Sequence, residues 1–193
     1  MNNKTFLRSY YRQLRTLCNV NDPKLLQQIF DNFLNTLENF PKQSIIAGYL
    51  AMPDELDLLP LLQKSEQYGY KIAMPVVTNK NSTLSFRLCG ANPRVTMNKY
   101  YKTLPEPADH YPYIIPNIII TPLLVCDRDG IRLGYGGGFY DKTLSLLREQ
   151  ATPVTAIGIC HHNLLVNIPL PREPFDQVLD IIITDQEVIT IRD

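Results

Sequence analysis

Four of the chain's nine glycines fall between positions 134 and 138, in the run Arg132-Leu133-Gly134-Tyr135-Gly136-Gly137-Gly138-Phe139-Tyr140-Asp141. With no Cβ in the way, the backbone N–H groups of such a run can converge on an anion. A helix starting behind the run adds unpaired N–H donors and the positive end of its dipole, so phosphate is the natural guest. Arg132 enters the loop as a planar fork suited to phosphate oxygens. Asp141 would repel a polyphosphate unless a cation such as Mg²⁺ bridged the two, although an Asp also simply favours a helix N-terminus. Two common nucleotide motifs are excluded. No glycine here is followed by Lys and then Ser or Thr, as a P-loop requires, and Phe139 stands where the dinucleotide fingerprint needs its last glycine.

Other reactive side chains are spread along the chain. Lys4, Arg8 and Arg12 recur at four-residue steps beside an apolar stripe of Leu7, Tyr11 and Leu14, which gives a helix with a basic edge. Such edges are commonly no more than solvated faces. Arg15 lies off the basic stripe, and its removal is expected to cost less than that of Arg8. Asp54, Glu55 and Asp57 follow a strand-like run, where ligands gather in open α/β sheets and where acids also cap the next helix. Asp176 sits in Pro171-Arg172-Glu173-Pro174-Phe175-Asp176, a segment that reads equally well as a plain turn. Cys18, Cys89, Cys126 and Cys160 are widely spaced, with no C-x-x-C pair, and His110, His161 and His162 form no zinc-ligand spacing with them. No Ser-His-Asp motif is apparent.

The elements that must position these residues alternate between strand and helix. Asp22-Pro23 is a helix start, followed by an apolar face of Ile29, Phe30, Phe33, Leu34 and Leu37. Residues 44–52 read as a buried strand with a helical stretch after it through Gln67, then 71–77 and 84–89 as strands joined by a turn cluster at 78–82, an edge hairpin. Residues 90–116 read as a long ordered connection. A buried strand at 118–125 leads into the glycine loop, and Tyr140, Leu144 and Leu147 at helical spacing follow it. Strands at 154–160 and 178–184 complete the pattern, the second as the last. The expected fold is α/β, a mainly parallel open twisted sheet with helices on both faces, Rossmann-like, in one domain spanning residues 1–193.

Lys plus Arg and Asp plus Glu balance at 19 each, so no global field recruits nucleic acid or an anionic membrane, and an anion site must be a local cluster. The apolar share of 45% suits a globular domain. No apolar run approaches a bilayer span and no secretory signal follows the polar Met1-Asn2-Asn3-Lys4 start, so the cytoplasm is the expected compartment; the sequence leaves the oligomeric state open, and a monomer is the working expectation.

The run at 132–141, preceded by Cys126-Asp127 and Gly130, resembles the signature of the 5-formyltetrahydrofolate cyclo-ligases, also called methenyltetrahydrofolate synthetases. That signature is Phe-Asp, two residues, Gly, one residue, then Arg-Leu-Gly-Tyr-Gly-Gly-Gly-Tyr-Tyr-Asp; this chain departs from it at Cys126 and Phe139. The resemblance extends over essentially the whole chain and implies ATP-dependent closure of 5-formyltetrahydrofolate, through a phosphorylated formyl oxygen, to 5,10-methenyltetrahydrofolate, with ADP and phosphate released. It implies an ATP site of Lys4, Arg8, Arg132, Leu133, Gly134, Tyr135, Gly136, Gly137, Gly138, Phe139 and Tyr140, with Arg132 and Tyr140 catalytic. It implies folate contacts at Met52, Glu55 and Asp57, with Tyr135, Gly136, Gly137, Gly138 and Phe139 shared, and Mg²⁺ on Asp141 and Asp176. Two further departures, Phe175 for the usual His and Leu164 where Gln is frequent, leave room for a non-catalytic ATP or phosphate sensor. A sugar-phosphate isomerase or transferase on a similar scaffold is a third reading.

Overall fold

The computed structural model describes residues 3–80, 82–151 and 153–191; Met1 and Asn2 at the polar start and Asn81 of the expected turn cluster lie outside them. Two helices open the chain, α1 (Asn3–Leu17) and α2 (Pro23–Leu37). Asp22 caps α2 as its sequence predicts, accepting hydrogen bonds from Lys24 N at 2.9 Å and Leu25 N at 3.2 Å, with Pro23 in the first turn where no N–H is needed. The strands that follow are β1 (Ile45–Ala47), β2 (Lys71–Val76), β3 (Ser85–Leu88), β4 (Val95–Met97), β5 (Pro105–Pro107), β6 (Tyr113–Ile114), β7 (Ile118–Thr121), β8 (Val125–Asp127), β9 (Arg132–Leu133), β10 (Thr155–Ile159), β11 (Leu165–Val166), β12 (Ile181–Ile183) and β13 (Val188–Thr190). Helix α3 (Leu59–Gln67) lies between β1 and β2, and α4 (Phe139–Glu149) between β9 and β10.

Eight strands form one sheet in the order β13-β12-β10-β7-β1-β2-β3-β6. Its five middle strands, β12 to β2, are mutually parallel; β13 and β3 flank them antiparallel, and β6 pairs antiparallel with β3 at the edge. Strand periodicity sends alternate residues to opposite faces. Ile118, Ile120, Ile157, Ile181 and Ile183 join α2 and α3 in one core, while Ile119, Ala156 and Ile182 join α1 and α4 in the other. Burial on both faces explains why these strands read as continuous apolar runs. Each such Ile stabilises the fold by about 1.5–3 kcal/mol.

Several expected elements come out differently. The run at 118–125 is two strands, because Pro122 has no N–H for the ladder; Val125–Asp127 instead pairs with β9 and β11 in a separate three-stranded sheet. The run at 44–52 pairs only over Ile45–Ala47 before the chain leaves the sheet toward Pro53. The hairpin of β2 and β3 forms, but β6 takes the edge beyond it. Strand β12 is not the last, since β13 folds back on it. The connection at 90–116 carries its own ribbon of β4 and β5, held to the body by Asn98, whose side chain donates to Val77 O at 2.8 Å and to Glu106 Oε2 at 2.5 Å.

From β1 the chain moves to β2 on one side, then returns to β7 on the other and continues outward to β10 and β12. This reversal between β1 and β7 opens a crevice at the carboxyl ends of the strands, the usual place for a ligand in an open α/β sheet.

Candidate active site

A cavity of about 520 Å³ fills that crevice. Tyr49, Met52 and Glu55 reach it from the segment after β1, Pro75 and Val77 from the end of β2, and Pro122 from the end of β7. The whole glycine loop with the start of α4 forms another wall, and Lys4 and Arg8 of α1 close a further side. Phe175 stands at the rim, 65% exposed.

The loop departs from ordinary backbone where its sequence requires. Gly136 has φ +99°, and Gly138, the residue before α4, has φ +67° with no side-chain cap on the helix. L-residues avoid both conformations, so glycine is demanded there by geometry. The uncapped first turn of α4 leaves N–H groups with no intrahelical partner at the cavity wall. Phe139, the departure from the family signature, packs edge-on against Tyr101 with ring centroids 5.8 Å apart.

The cations are used unequally. Arg8 Nε donates to Gly134 O at 3.0 Å, and its terminal nitrogens have no acceptor among the described residues, so they are available to the cavity. Arg132 was expected to present its fork to an anion. Instead its Nη1 donates to Gln177 O at 2.7 Å and its Nη2 to Asp141 Oδ1 at 3.0 Å, with the side chain 4% exposed. Burial pulls the Arg132 pKa down, and the Asp141 charge opposes that. Lys4 Nζ bridges Glu173 at 2.7 Å and Asp176 at 2.6 Å.

The two proposed metal carboxylates both line the cavity. Asp141 Oδ1 accepts from Arg132 and from Gln177 N at 3.0 Å, and Asp176 Oδ2 accepts from Lys4 and from Glu173 N at 2.7 Å. Each carboxylate therefore has one oxygen fixed by the protein, while Asp141 Oδ2 and Asp176 Oδ1 accept nothing from the described residues. That donor set suits Mg²⁺, which is commonly held by one or two carboxylates and completed by phosphate and water. Among the described residues, the one group of three potential ligands within 4.8 Å is elsewhere: His161, His162 and Asp185. It is satisfied internally, since His162 pairs with Asp185 at 2.7 Å and His161 Nδ1 accepts from Asn163 N at 3.0 Å.

On the wall formed by the segment after β1, Glu55 is buried and its Oε2 accepts from Met52 N at 2.9 Å, which folds residues 52–55 into a tight turn. Burial pushes the Glu55 carboxyl up, against the Met52 N–H and the Arg15 charge. Burial also raises Tyr49 and Tyr140, reinforced by Glu55, and pushes Tyr135 up to about 12. At neutral pH these phenols are donors, not bases. Asp57 does not line the cavity; its Oδ1 accepts from Leu59 N at 2.9 Å and fastens the start of α3, the capping role that acids also play after a strand. Leu164 is likewise absent from the wall and is buried in the core, so its difference from Gln alters packing beneath the site.

Sequence reasoning missed Tyr49, Tyr101 and Glu173 at the cavity and, above all, Arg15. Arg15 is 3% exposed, although it was expected to be the dispensable arginine. A signal existed: Leu7, Tyr11 and Arg15 are four residues apart and share the buried stripe of α1. Asp127 also proves structural, since its buried carboxylate accepts from Asp129, Ile131 and Leu170 N–H groups and pins the turn ahead of the glycine loop.

Comparison with known proteins gives a consistent result. The 5-formyltetrahydrofolate cyclo-ligase family model matches residues 1–185. The 5-formyltetrahydrofolate cyclo-ligase of Escherichia coli (strain K12) is 32% identical over 146 residues, 74% of this chain and 79% of that protein. The protein of the same name from Haemophilus influenzae is 28% identical over 156 residues, 78% of this chain and 80% of its own. The NMR structure of Aquifex aeolicus 5,10-methenyltetrahydrofolate synthetase matches with a TM-score of 0.74 at 22% identity, covering 98% of this chain and 93% of that one. A 5,10-methenyltetrahydrofolate synthetase from Mycoplasma pneumoniae matches with a TM-score of 0.67 at 22% identity, covering 95% and 99%. The two structures share the fold described above.

Proposed function

Because the chain belongs to the 5-formyltetrahydrofolate cyclo-ligase family, we propose that it closes 5-formyltetrahydrofolate to 5,10-methenyltetrahydrofolate with ATP as co-substrate. The observation that carries this reading is the two-sided cavity. One wall offers glycine-loop backbone, an uncapped helix start and Arg8 for a polyphosphate; the other offers Tyr49, Met52 and Glu55 for a flat, partly polar ring system. Both reactants then meet in one crevice.

An amide-like formyl oxygen leaves poorly. Transfer of the γ-phosphoryl group to that oxygen breaks the bond to ADP and makes a phosphorylated imidate. N10 then attacks the formyl carbon and loses its proton, and the C–O bond breaks to release phosphate. No side-chain nucleophile is needed, so the protein's share is positioning and charge neutralisation. Arg8, the glycine-loop amides and the start of α4 bind the phosphates. Asp141 and Asp176 would hold Mg²⁺, which supplies charge neutralisation at the phosphates when bound. Arg132 orients Asp141, and Lys4 orients Asp176. Tyr140, protonated at neutral pH, serves as a hydrogen-bond donor beside the reacting groups.

Residues 1–193 form one domain, a reading supported by two cores that share a single sheet, and the domain acts as a monomer. No helix among the described residues is long and apolar enough to cross a membrane. Four free thiols fit a reducing cytoplasm. The test is direct: with Mg²⁺ and ATP, growth of methenyltetrahydrofolate absorbance in the near ultraviolet should accompany equimolar phosphate release. Phosphate release that does not depend on the folate, or no turnover by folded protein, removes the reading.

A further inference from the structure

Arg15 ties together four parts of the molecule. From α1 its Nη1 donates to Leu123 O at 3.1 Å, just beyond β7, and its Nη2 donates to Asp54 Oδ2 at 2.5 Å, in the acidic segment after β1. The same Nη2 donates to the Tyr135 hydroxyl in the glycine loop. Its Cζ lies 5.3 Å from the Tyr135 ring centroid, and Arg12 approaches the same ring at 5.0 Å. The Arg15 Nε is buried without a hydrogen-bond partner among the described residues. A buried guanidinium with one donor unmet is an unfavourable choice for stability alone, because a well-packed apolar residue would avoid its desolvation. Its three acceptors are what it uniquely connects.

We propose that Arg15 is a positioning residue for the reaction: by bonding Tyr135, Asp54 and Leu123 O, it fixes the glycine loop against the residue 52–55 turn. Those two segments are the phosphate wall and the folate wall of the cavity, so the inference rests on the function proposed above. Arg15 does not line the cavity, whereas Tyr135 and Glu55, next to Asp54, do. It therefore acts through them. Such a role bears on the approach of the formyl oxygen to the γ-phosphorus, where a small misplacement costs rate more than binding. Losing the contact should lower kcat and leave the KM for ATP nearly unchanged, because Arg8 and the α4 start still hold the phosphates.

The experiment compares the parent with Arg15→Met, Tyr135→Phe and the double variant, using steady-state kinetics and backbone hydrogen exchange. Expected is a fall in kcat of about tenfold in each single variant, the scale of one charge-assisted hydrogen bond. The double variant should be no worse than Arg15→Met. In exchange, residues 134–138 and 52–55 should open about tenfold or more while β7 and β10 keep their protection. Additive losses in the double variant, a loss confined to KM, or uniform opening across the sheet would each overturn the proposal. If Arg15→Met does not fold, Asp54→Asn with Tyr135→Phe supplies the same cycle from the acceptor side. An inactive parent defeats the enzyme reading and the kinetic half of the proposal, and the exchange result then decides by itself whether Arg15 fixes the two walls.

Discussion

The Arg8 guanidinium packs directly on Gly136: a Cβ at that glycine would lie 3.3 Å from Arg8 Cζ and 3.4 Å from its Nε. The loop's most unusual backbone and an arginine whose terminal nitrogens have no acceptor among the described residues are thus one unit, so a change at either bears on both.

Gly136→Ala should disturb that unit twice. At φ +99° an alanine is strained by about 1–3 kcal/mol, and its methyl group must push Arg8 aside. The expected outcome is a melting temperature lower by roughly 2–12 °C together with a raised KM for ATP. A normal KM with a lowered melting temperature would separate the loop strain from Arg8 and count against their shared role.

Asp141→Asn bears on the metal. The change keeps the shape and one acceptor but removes the charge facing Arg132, whose side chain is 4% exposed. Activity should fall and the Mg²⁺ needed for half-maximal rate should rise. The fold should persist, less stably than the parent, because a buried cation loses its counter-charge. Calorimetry and a Mg²⁺ titration check the two halves. An unchanged Mg²⁺ requirement with reduced stability would reduce Asp141 to the partner of Arg132.

How much of this could be read beforehand differs by residue. The glycine loop was legible because φ > 0 and close approach restrict the residue type itself, and α2 because Asp22-Pro23 marks its start chemically. The five parallel strands were legible as apolar runs. Strands β4, β5 and β6 were not: two- or three-residue ladders carry no period, β4 and β5 are tied to each other by Asn98 with Glu106 and to the body by Asn98 with Val77, and β6 is placed by its pairing with β3. Asp57 lies outside the cavity wall and fastens the start of α3; strand-end acids serve ligands and helix caps with the same spacing, so sequence alone does not separate the two roles. Asp141 was legible as a carboxylate at the helix start behind the glycine loop, and Asp176 only through the resemblance; that Asp176 has one oxygen committed to Lys4 depends on residues 172 positions apart, while the nearby Arg132 that holds Asp141 read instead as an anion partner.

Glu55 gives a prediction about pH. Burial raises its folded-state pKa above the ordinary 4.5, so the folded protein holds a proton that the unfolded chain releases. Stability contributed by this group is therefore present below pH 4.5 and lost as pH rises through the raised value. Glu55→Gln, which can still accept the Met52 N–H, should melt higher than the parent at pH 7, and the difference should shrink toward pH 4. Turnover should fall in the same variant if Glu55 touches the folate. Equal melting temperatures at pH 7 would show that the carboxylate is already compensated.

The three arginines of α1 make the sharpest contrast. Arg8→Ala removes a charge-assisted contact with ATP worth about 1.5–3 kcal/mol, or roughly 10-fold to 150-fold in the KM for ATP. Its effect on melting should be small, since its terminal nitrogens hold no acceptor among the described residues. Arg15→Ala should do the reverse: it leaves Leu123 O without its donor and Asp54 without its cation, for about 3 kcal/mol and roughly 6–12 °C in this 193-residue chain. Arg12, exposed, with its guanidinium over the Tyr135 ring and no side-chain hydrogen bond or ion pair among the described residues, is the control that Arg15 was expected to be; Arg12→Ala should change either quantity less than its neighbours do. Melting curves and ATP titrations of the three variants settle the assignment. Parent-like ATP binding by Arg8→Ala would return the basic edge of α1 to solvent and move the phosphate contacts to the loop and α4 alone.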